Sequence, residues 1–268
     1  MTIRAGKLTA LISHSFQLAW SYKLNFILRY LSSVITILLY FFLALLLQQS
    51  GQAVIREGTY FTFVLIGGAF LRYLMLITQA FSANLREEML IGTIEPLLVT
   101  ATPTSLSVLG PSSWWLIQAT LIFIGQLLFG ALVGADYSQA NWSSALAVLL
   151  ISLASFASYG IISAAFTIVF KRSDPVVLFI SSIAYVFSGV FFPIEIFPPW
   201  LRIISYLVPF TYALRALRGA LMGGASLADM ALDIAILLGF AVVLIPLSIR
   251  VLSYAIRRMK DTGELVHY

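Results

Sequence analysis

The chain contains no cysteine, so disulfides, thiol catalysis and cysteine-ligated metals are excluded. Charge is scarce as well: Asp, Glu, Lys and Arg make up 10% of the 268 residues, against about 25% in an ordinary soluble domain. Its two histidines, His14 and His267, lie near opposite ends of the sequence, and no HExxH-type metal site arises from them. There is no G-x-x-x-x-G-K-[ST] phosphate loop. No carboxylate falls in the middle of an apolar run, where a proton-driven transporter usually needs one. Nothing marks an enzyme, and no metal or cofactor is expected on this chain.

Apolar residues fill the sequence instead. They reach 60%, with 20 Phe and 12 Tyr, and the mean hydropathy is +0.98. This is the composition of an all-α integral membrane protein. The net charge of +5 carries no implication of nucleic-acid binding, because basic residues in a membrane chain mainly set its orientation. A bilayer core of about 30 Å takes about 20 apolar residues per helix, which predicts six spans at roughly 27–47, 60–83, 106–133, 142–170, 175–192 and 228–250. Ahead of them, Leu8, Leu11, Ile12, Phe16, Ala19 and Trp20 recur at helical spacing, with Lys7, His14, Gln17 and Ser21 off that stripe. The pattern predicts an amphipathic helix lying in the membrane interface, an ordinary cytosolic helix being the alternative. No cleavable signal peptide is expected, since the first long apolar run begins only near Phe26.

The basic residues test the map. Arg4, Lys7, Lys23, Arg29, Arg86, Lys171, Arg172, Arg250, Arg257, Arg258 and Lys260 fall on one side, eleven of the sixteen. Arg56, Arg202, Arg215 and Arg218 fall on the other, and Arg72 lies inside a span. The positive-inside rule then puts both termini, and the connection after the second span, in the cytoplasm of a multi-pass protein of the cell (inner or plasma) membrane. Local signals support several boundaries: Asp174 as a cap with Pro175 opening the fifth span, and Ser226 with Asp229 at capping-box spacing before the sixth. Gly160 and Ala164 form a small-xxx-small pair suited to close helix packing. Without internal repeats or low-complexity linkers, residues 1–268 read as one membrane domain lacking a nucleotide-binding domain.

The connection after the second span, Arg86-Glu87-Glu88 through Pro103, is more elaborate than a linker requires. Gly92 or Thr93 can serve as N-cap, Glu95 sits in the first turn at the positive end of the helix dipole, and Pro96 is tolerated there. Pro103 disfavours helix at Thr102, which leaves a short helix of roughly two to three turns at the cytoplasmic surface.

Residues 188–224 hold four of the nine prolines: Pro193, Pro198, Pro199 and Pro209. They predict two short helices, 199–207 and 209–222, the second stopped by Gly223-Gly224. Neither is long enough to span, so both are expected as re-entrant or interfacial helices on the outer side. Pro193, Glu195, Pro199, Trp200, Pro209 and Tyr212 are candidates for an outer gate. Simple anchoring of Trp200, Tyr206 and Tyr212 at headgroup level is the alternative. Arg215 and Arg218, at i and i+3, are expected to meet lipid phosphates.

Arg72 is the one ionisable residue deep in a span. It reads either as part of a translocation path or as a shallower residue that snorkels outward. With Gln79, Tyr185 and Ser188 it makes up the candidate path, to which Thr78, Ser181 and Ser182 add hydroxyls; interhelical hydrogen bonding would account equally for the polar groups.

The motifs "REE…GTIEPLLVTATP" after the second span and "FSGVFFPIEIFPPWLRIISYLVPFTYALRALRG" after the fifth make the chain resemble the membrane subunit of type 2 ABC exporters, the ABC-2 transporter permeases. The resemblance covers nearly the whole chain. It implies an amphipathic N-terminal helix, six spans and re-entrant outer helices before the last. It also implies a coupling helix at Gly92–Thr100 that docks on a separate ABC-type ATPase subunit, with Arg86, Glu87, Glu88, Gly92, Thr93, Glu95 and Pro96 shaping the contact. ATP and Mg would be bound by that partner, and a second permease copy, in a homodimer or close heterodimer, would complete the assembly. Ala101-Thr102 stand between Thr100 and Pro103, where the family commonly has Pro directly after Thr. The implied function is ATP-driven export of an amphipathic drug, lipid or lipid-linked glycan. An ATP-independent secondary transporter or channel is the alternative, and a membrane scaffold that recruits another protein is a third reading.

Overall fold

A computed structural model describes residues 23–49, 60–91, 112–170 and 175–262. They form α1 (Lys23–Gln49), α2 (Tyr60–Ile91), α3 (Ser112–Val133), α4 (Trp142–Phe170), α5 (Pro175–Phe187), α6 (Pro199–Leu207), α7 (Pro209–Met222) and α8 (Ala231–Thr262), with a 3-10 turn at Ile194–Ile196. Among the described residues there is no strand. Among the described residues four helices, α2, α3, α4 and α8, are long and apolar enough to cross a membrane. The interfacial helix expected before Lys23 and the surface helix expected within 92–103 lie outside the described residues.

Several expected boundaries shift, three of them, at the C-terminal ends of helices, by more than a turn. Hydropathy ends the second span at 83 and the sixth at 250, but α2 runs to Ile91 and α8 to Thr262. Charged residues are no obstacle to a helix that has left the apolar layer, so hydropathy marks the span and not the helix. In the other direction, α5 stops at Phe187 although apolar residues continue to Phe192. Gly189 adopts φ +72, a left-handed conformation that ends helices and that a side chain would strain. The 13 residues of α5 therefore rise only about 20 Å, short of a 30 Å core.

The central element is α2. Its sequence is apolar on every side over residues 61–71, and each of these residues is buried. Small residues on its neighbours allow the approach. A Cβ on Gly160 of α4 would stand 2.5 Å from the Phe81 ring and 3.1 Å from the carbonyls of Ile77 and Thr78, while Gly130 of α3 faces Leu65 in the same way. Ala164, one turn beyond Gly160, is fully buried. Gly160→Val is accordingly expected to push α4 away from α2 and cost about 1–3 kcal/mol, visible as a lower unfolding temperature in mild detergent.

Four aromatics mark where α2, α3, α4 and α7 meet. The Phe70 ring lies 6.2 Å from Phe123 and 5.5 Å from Phe210, and Phe210 lies 6.2 Å from Phe156. Phe70 and Phe156 are about 15 and 21 Å along α2 and α4, so α7 begins at mid-bundle depth. It ends at the bundle surface, where the Asn141 N–H donates to the Ala220 carbonyl at 2.8 Å. Beyond it, the Ala225 N–H returns to the Gly219 carbonyl at 3.0 Å across Gly223 and Gly224 (φ +62), closing the helix as the Gly-Gly pair predicted. The Ser226 N–H and hydroxyl then donate to the Asp229 carboxylate at 2.8 and 2.7 Å, the expected capping box, and hold that carboxyl below its usual range. Against α4, α8 shares the Ser155 hydroxyl, 3.2 Å from the Leu237 carbonyl.

Candidate functional site

The candidate residues lie at the Arg86 end of α2, at the opposite end of the bundle, and along the candidate path between them. Arg86 and Glu87 stand exposed on the last turns of α2, and Glu88 follows them in the same helix. Gly92, Thr93, Glu95 and Pro96 lie outside the described residues. What the geometry adds is the lever: a 32-residue helix about 48 Å long, rooted in the core at one end and carrying these charges at the other.

At the opposite end the prolines act as the sequence indicates. Pro193 precedes the 3-10 turn, while Pro199 and Pro209 each occupy the first position of a helix, where a missing N–H costs nothing. Val208 is the extended joint between α6 and α7, tied by the Thr211 hydroxyl donating to the Ser205 carbonyl at 2.7 Å and the Tyr212 hydroxyl to the Tyr206 carbonyl at 2.8 Å. Glu195 is exposed, yet its carbonyl accepts from the Arg202 guanidinium at 2.5 Å, and the Phe197 carbonyl accepts from it at 3.2 Å. Trp200, Ile203 and Leu207 form an exposed apolar face on α6.

Of the two arginines of α7, Arg218 departs from the expected contact with lipid phosphates, whereas Arg215 is paired yet keeps a partly exposed side chain. Arg215 forms a two-pronged ion pair with Asp233 of α8, its Nε donating at 2.9 Å to one carboxylate oxygen. Arg218 turns inward, donating to the carbonyls of Gly189 at 2.8 Å, Val190 at 2.7 Å and Phe63 at 3.0 Å, with its guanidinium carbon 3.4 Å from the centre of the Phe63 ring. The two carbonyls beyond the early end of α5 thus receive a cation, which also suits the negative end of that helix dipole. Sequence reasoning missed this cage. Its signals were Gly67, whose absent Cβ leaves room for the guanidinium, and an arginine among the small and apolar residues Ala216, Leu217, Gly219 and Ala220.

The candidate path residues divide. Arg72, half-buried on α2, donates to the Ser32 hydroxyl of α1 at 3.0 Å. Gln79 is exposed one helical repeat further along the same face. Tyr185 is exposed on α5 with its ring 5.4 Å from Phe191, which in turn lies 6.2 Å from Tyr40 of α1. Ser188 is buried at the end of α5 and does not share that surface. Thr78 and Ser182 return their hydroxyls to carbonyls four residues back, at 2.9 and 2.8 Å, and so bond within their own helices.

No curated protein matches the chain. The family model described as ABC-2 type transporter matches residues 6–222, well over half of the sequence, ending at the last residue of α7. With its long apolar helices, this makes the chain a multi-pass membrane subunit for transport, and it belongs to the ABC-2 type transporter family.

Proposed function

We propose that this chain is the permease subunit of an ATP-driven exporter, with ATP and Mg bound by a separate ABC-type ATPase and with a second permease copy completing the path. Its cargo would be an amphipathic drug, lipid or lipid-linked glycan leaving the cytoplasm. The observation that carries this reading is α2: one unbroken helix joins the buried core to Arg86, Glu87 and the segment with Gly92, Thr93, Glu95 and Pro96. A push on that segment from a partner moves the element against which α1, α3, α4 and α7 pack. Nucleotide on the partner can bias the permease only by favouring one of its two arrangements, and a rigid lever supplies that link. The positive-inside pattern puts the Arg86 end, with both termini, in the cytoplasm of the cell membrane. In that orientation α6 and α7 dip from the outer surface to mid-depth and return as a re-entrant pair, with α7 covered by α2, α4 and α8 and α6 resting on α5 and α7.

The test is purification of the tagged chain from mild detergent. An ABC-type ATPase is expected to co-purify near one-to-one and to hydrolyse ATP in the complex. Recovery of the folded permease without any ATPase, together with gradient-driven flux in ATP-depleted vesicles, would favour the secondary transporter instead.

A further inference from the structure

Between Phe61 and Leu85 every residue of α2 is buried except Arg72, Met75, Leu76, Gln79 and Ala83. Their spacing of i, i+3, i+4, i+7 and i+11 puts them on one face, and exposed Arg86 at i+14 extends it. Among the described residues, a helix otherwise enclosed thus opens along one strip about 21 Å long, exposed at Gln79, Ala83 and Arg86 and half-buried at Arg72, Met75 and Leu76. The strip stops at Arg72. One turn further along the same face, Gly68 is covered by the Tyr40 ring, which stands edge-on to Phe191. One end is therefore open at Arg86, and the other is closed at mid-helix by aromatic rings.

The chemistry of the strip is selective. It has a guanidinium at each end, an amide at Gln79, apolar contacts from Met75, Leu76 and Ala83, and no carboxylate between Arg72 and Arg86. Arg72 lies about 18 Å from the Tyr60 end of the span and about 22 Å from the Glu87 end. A cation at that depth costs about 2.5–3.5 kcal/mol on insertion scales unless it is matched. Its hydrogen-bond partner among the described residues is the neutral Ser32 hydroxyl. Among the described residues, Arg202, Arg215 and Arg218 are each met by carbonyls or by Asp233, whereas Arg72 meets a neutral hydroxyl and no carboxylate.

We propose that this strip binds an anionic amphiphile, its phosphate or carboxylate headgroup docking on Arg72 and its apolar part lying along Met75, Leu76 and Ala83. A planar guanidinium suits either acid through paired N–H donors. The proposal rests on the permease reading and narrows its substrate class to acidic amphiphiles that enter from the Arg86 end.

The test uses the full chain, whose lack of cysteine lets Ala83→Cys carry a single fluorophore. Short-chain phosphatidic acid and phosphatidylcholine of equal chain length are titrated into the labelled protein in neutral detergent, with Leu128→Cys on the exposed face of α3 as the control position. Phosphatidic acid is expected to give a saturable change with the Ala83→Cys label and none with the control, about tenfold tighter than phosphatidylcholine. Arg72→Gln should abolish that preference, and Arg72→Lys should keep most of it. Equal affinity for both lipids, an unchanged preference in Arg72→Gln, or equal displacement by inorganic phosphate at the same concentration would overturn the proposal. The permease reading fails separately: selective binding without ATPase association or nucleotide-dependent flux sinks that reading and leaves the site, whereas flux without acidic preference does the reverse.

Discussion

Replacing Arg218 with methionine is expected to destabilise the folded chain by about 2–4 kcal/mol, although the substitution removes a buried charge and keeps much of the side-chain volume. The carbonyls of Gly189 and Val190 each accept from this guanidinium, and a buried carbonyl left without a donor costs about 1–3 kcal/mol. Loss of the stack on Phe63 adds about 0.5–2 kcal/mol. Relief of guanidinium desolvation offsets part of this sum, which sets the net figure below it. Arg218→Lys should fall between, because one ammonium cannot both span three carbonyls and lie flat on the ring. Gly67→Ala should resemble the methionine variant from the other side, since its Cβ would press on the guanidinium and come within 2.6 Å of the Val190 carbonyl. Thermal unfolding in mild detergent reads all three. An Arg218→Met protein as stable as the parent would show that the end of α5 is held by something else.

That cage also explains where the sequence was legible and where it was not. Pro199, Pro209 and Gly223-Gly224 fixed α6 and α7 to the residue, because proline and glycine restrict the backbone whatever surrounds them. Ser226 with Asp229 and Gly160 with Ala164 were readable for the same reason: their partners lie within a turn or depend only on small size. The end of α5 was not. Hydropathy runs on through Val190, Phe191 and Phe192, and only a donor 28 residues away makes an early stop tolerable at depth. Arg215 and Arg218 looked alike at i and i+3, but one meets a carboxylate on α8 and the other carbonyls from α2 and the α5 terminus. Spacing assigns residues to a face of a helix; it does not say what the fold brings to that face. Arg72 lies between these cases. Its depth was readable from its position in an apolar run, whereas the single open strip that it closes follows from the burial of all the other faces of α2.

The largest functional effect is expected at the segment that continues α2. Glu95→Arg should leave folding nearly intact, since in the surface helix proposed for this segment a first-turn carboxylate would contribute only about 0.3–1 kcal/mol. In a docking contact the same reversal is far more damaging, because hot-spot side chains at interfaces carry about 2 kcal/mol or more. The expected result is at least about a thirtyfold loss of nucleotide-coupled transport, with expression and unfolding temperature close to the parent. Gly92→Pro tests the lever separately. Proline there disfavours helical geometry at Ile91, the last residue of α2, and stiffens the junction through which a push would pass. It should leave the ATPase bound while breaking the link between hydrolysis and movement. A nitroxide at Ala83→Cys supplies a readout that needs no knowledge of the cargo. In the assembled complex, ATP should change its spectrum in the parent background and fail to do so with either substitution. ATP-dependent changes of parental size in both would remove the force-receiving role from this segment, and with it the argument for α2 as the lever.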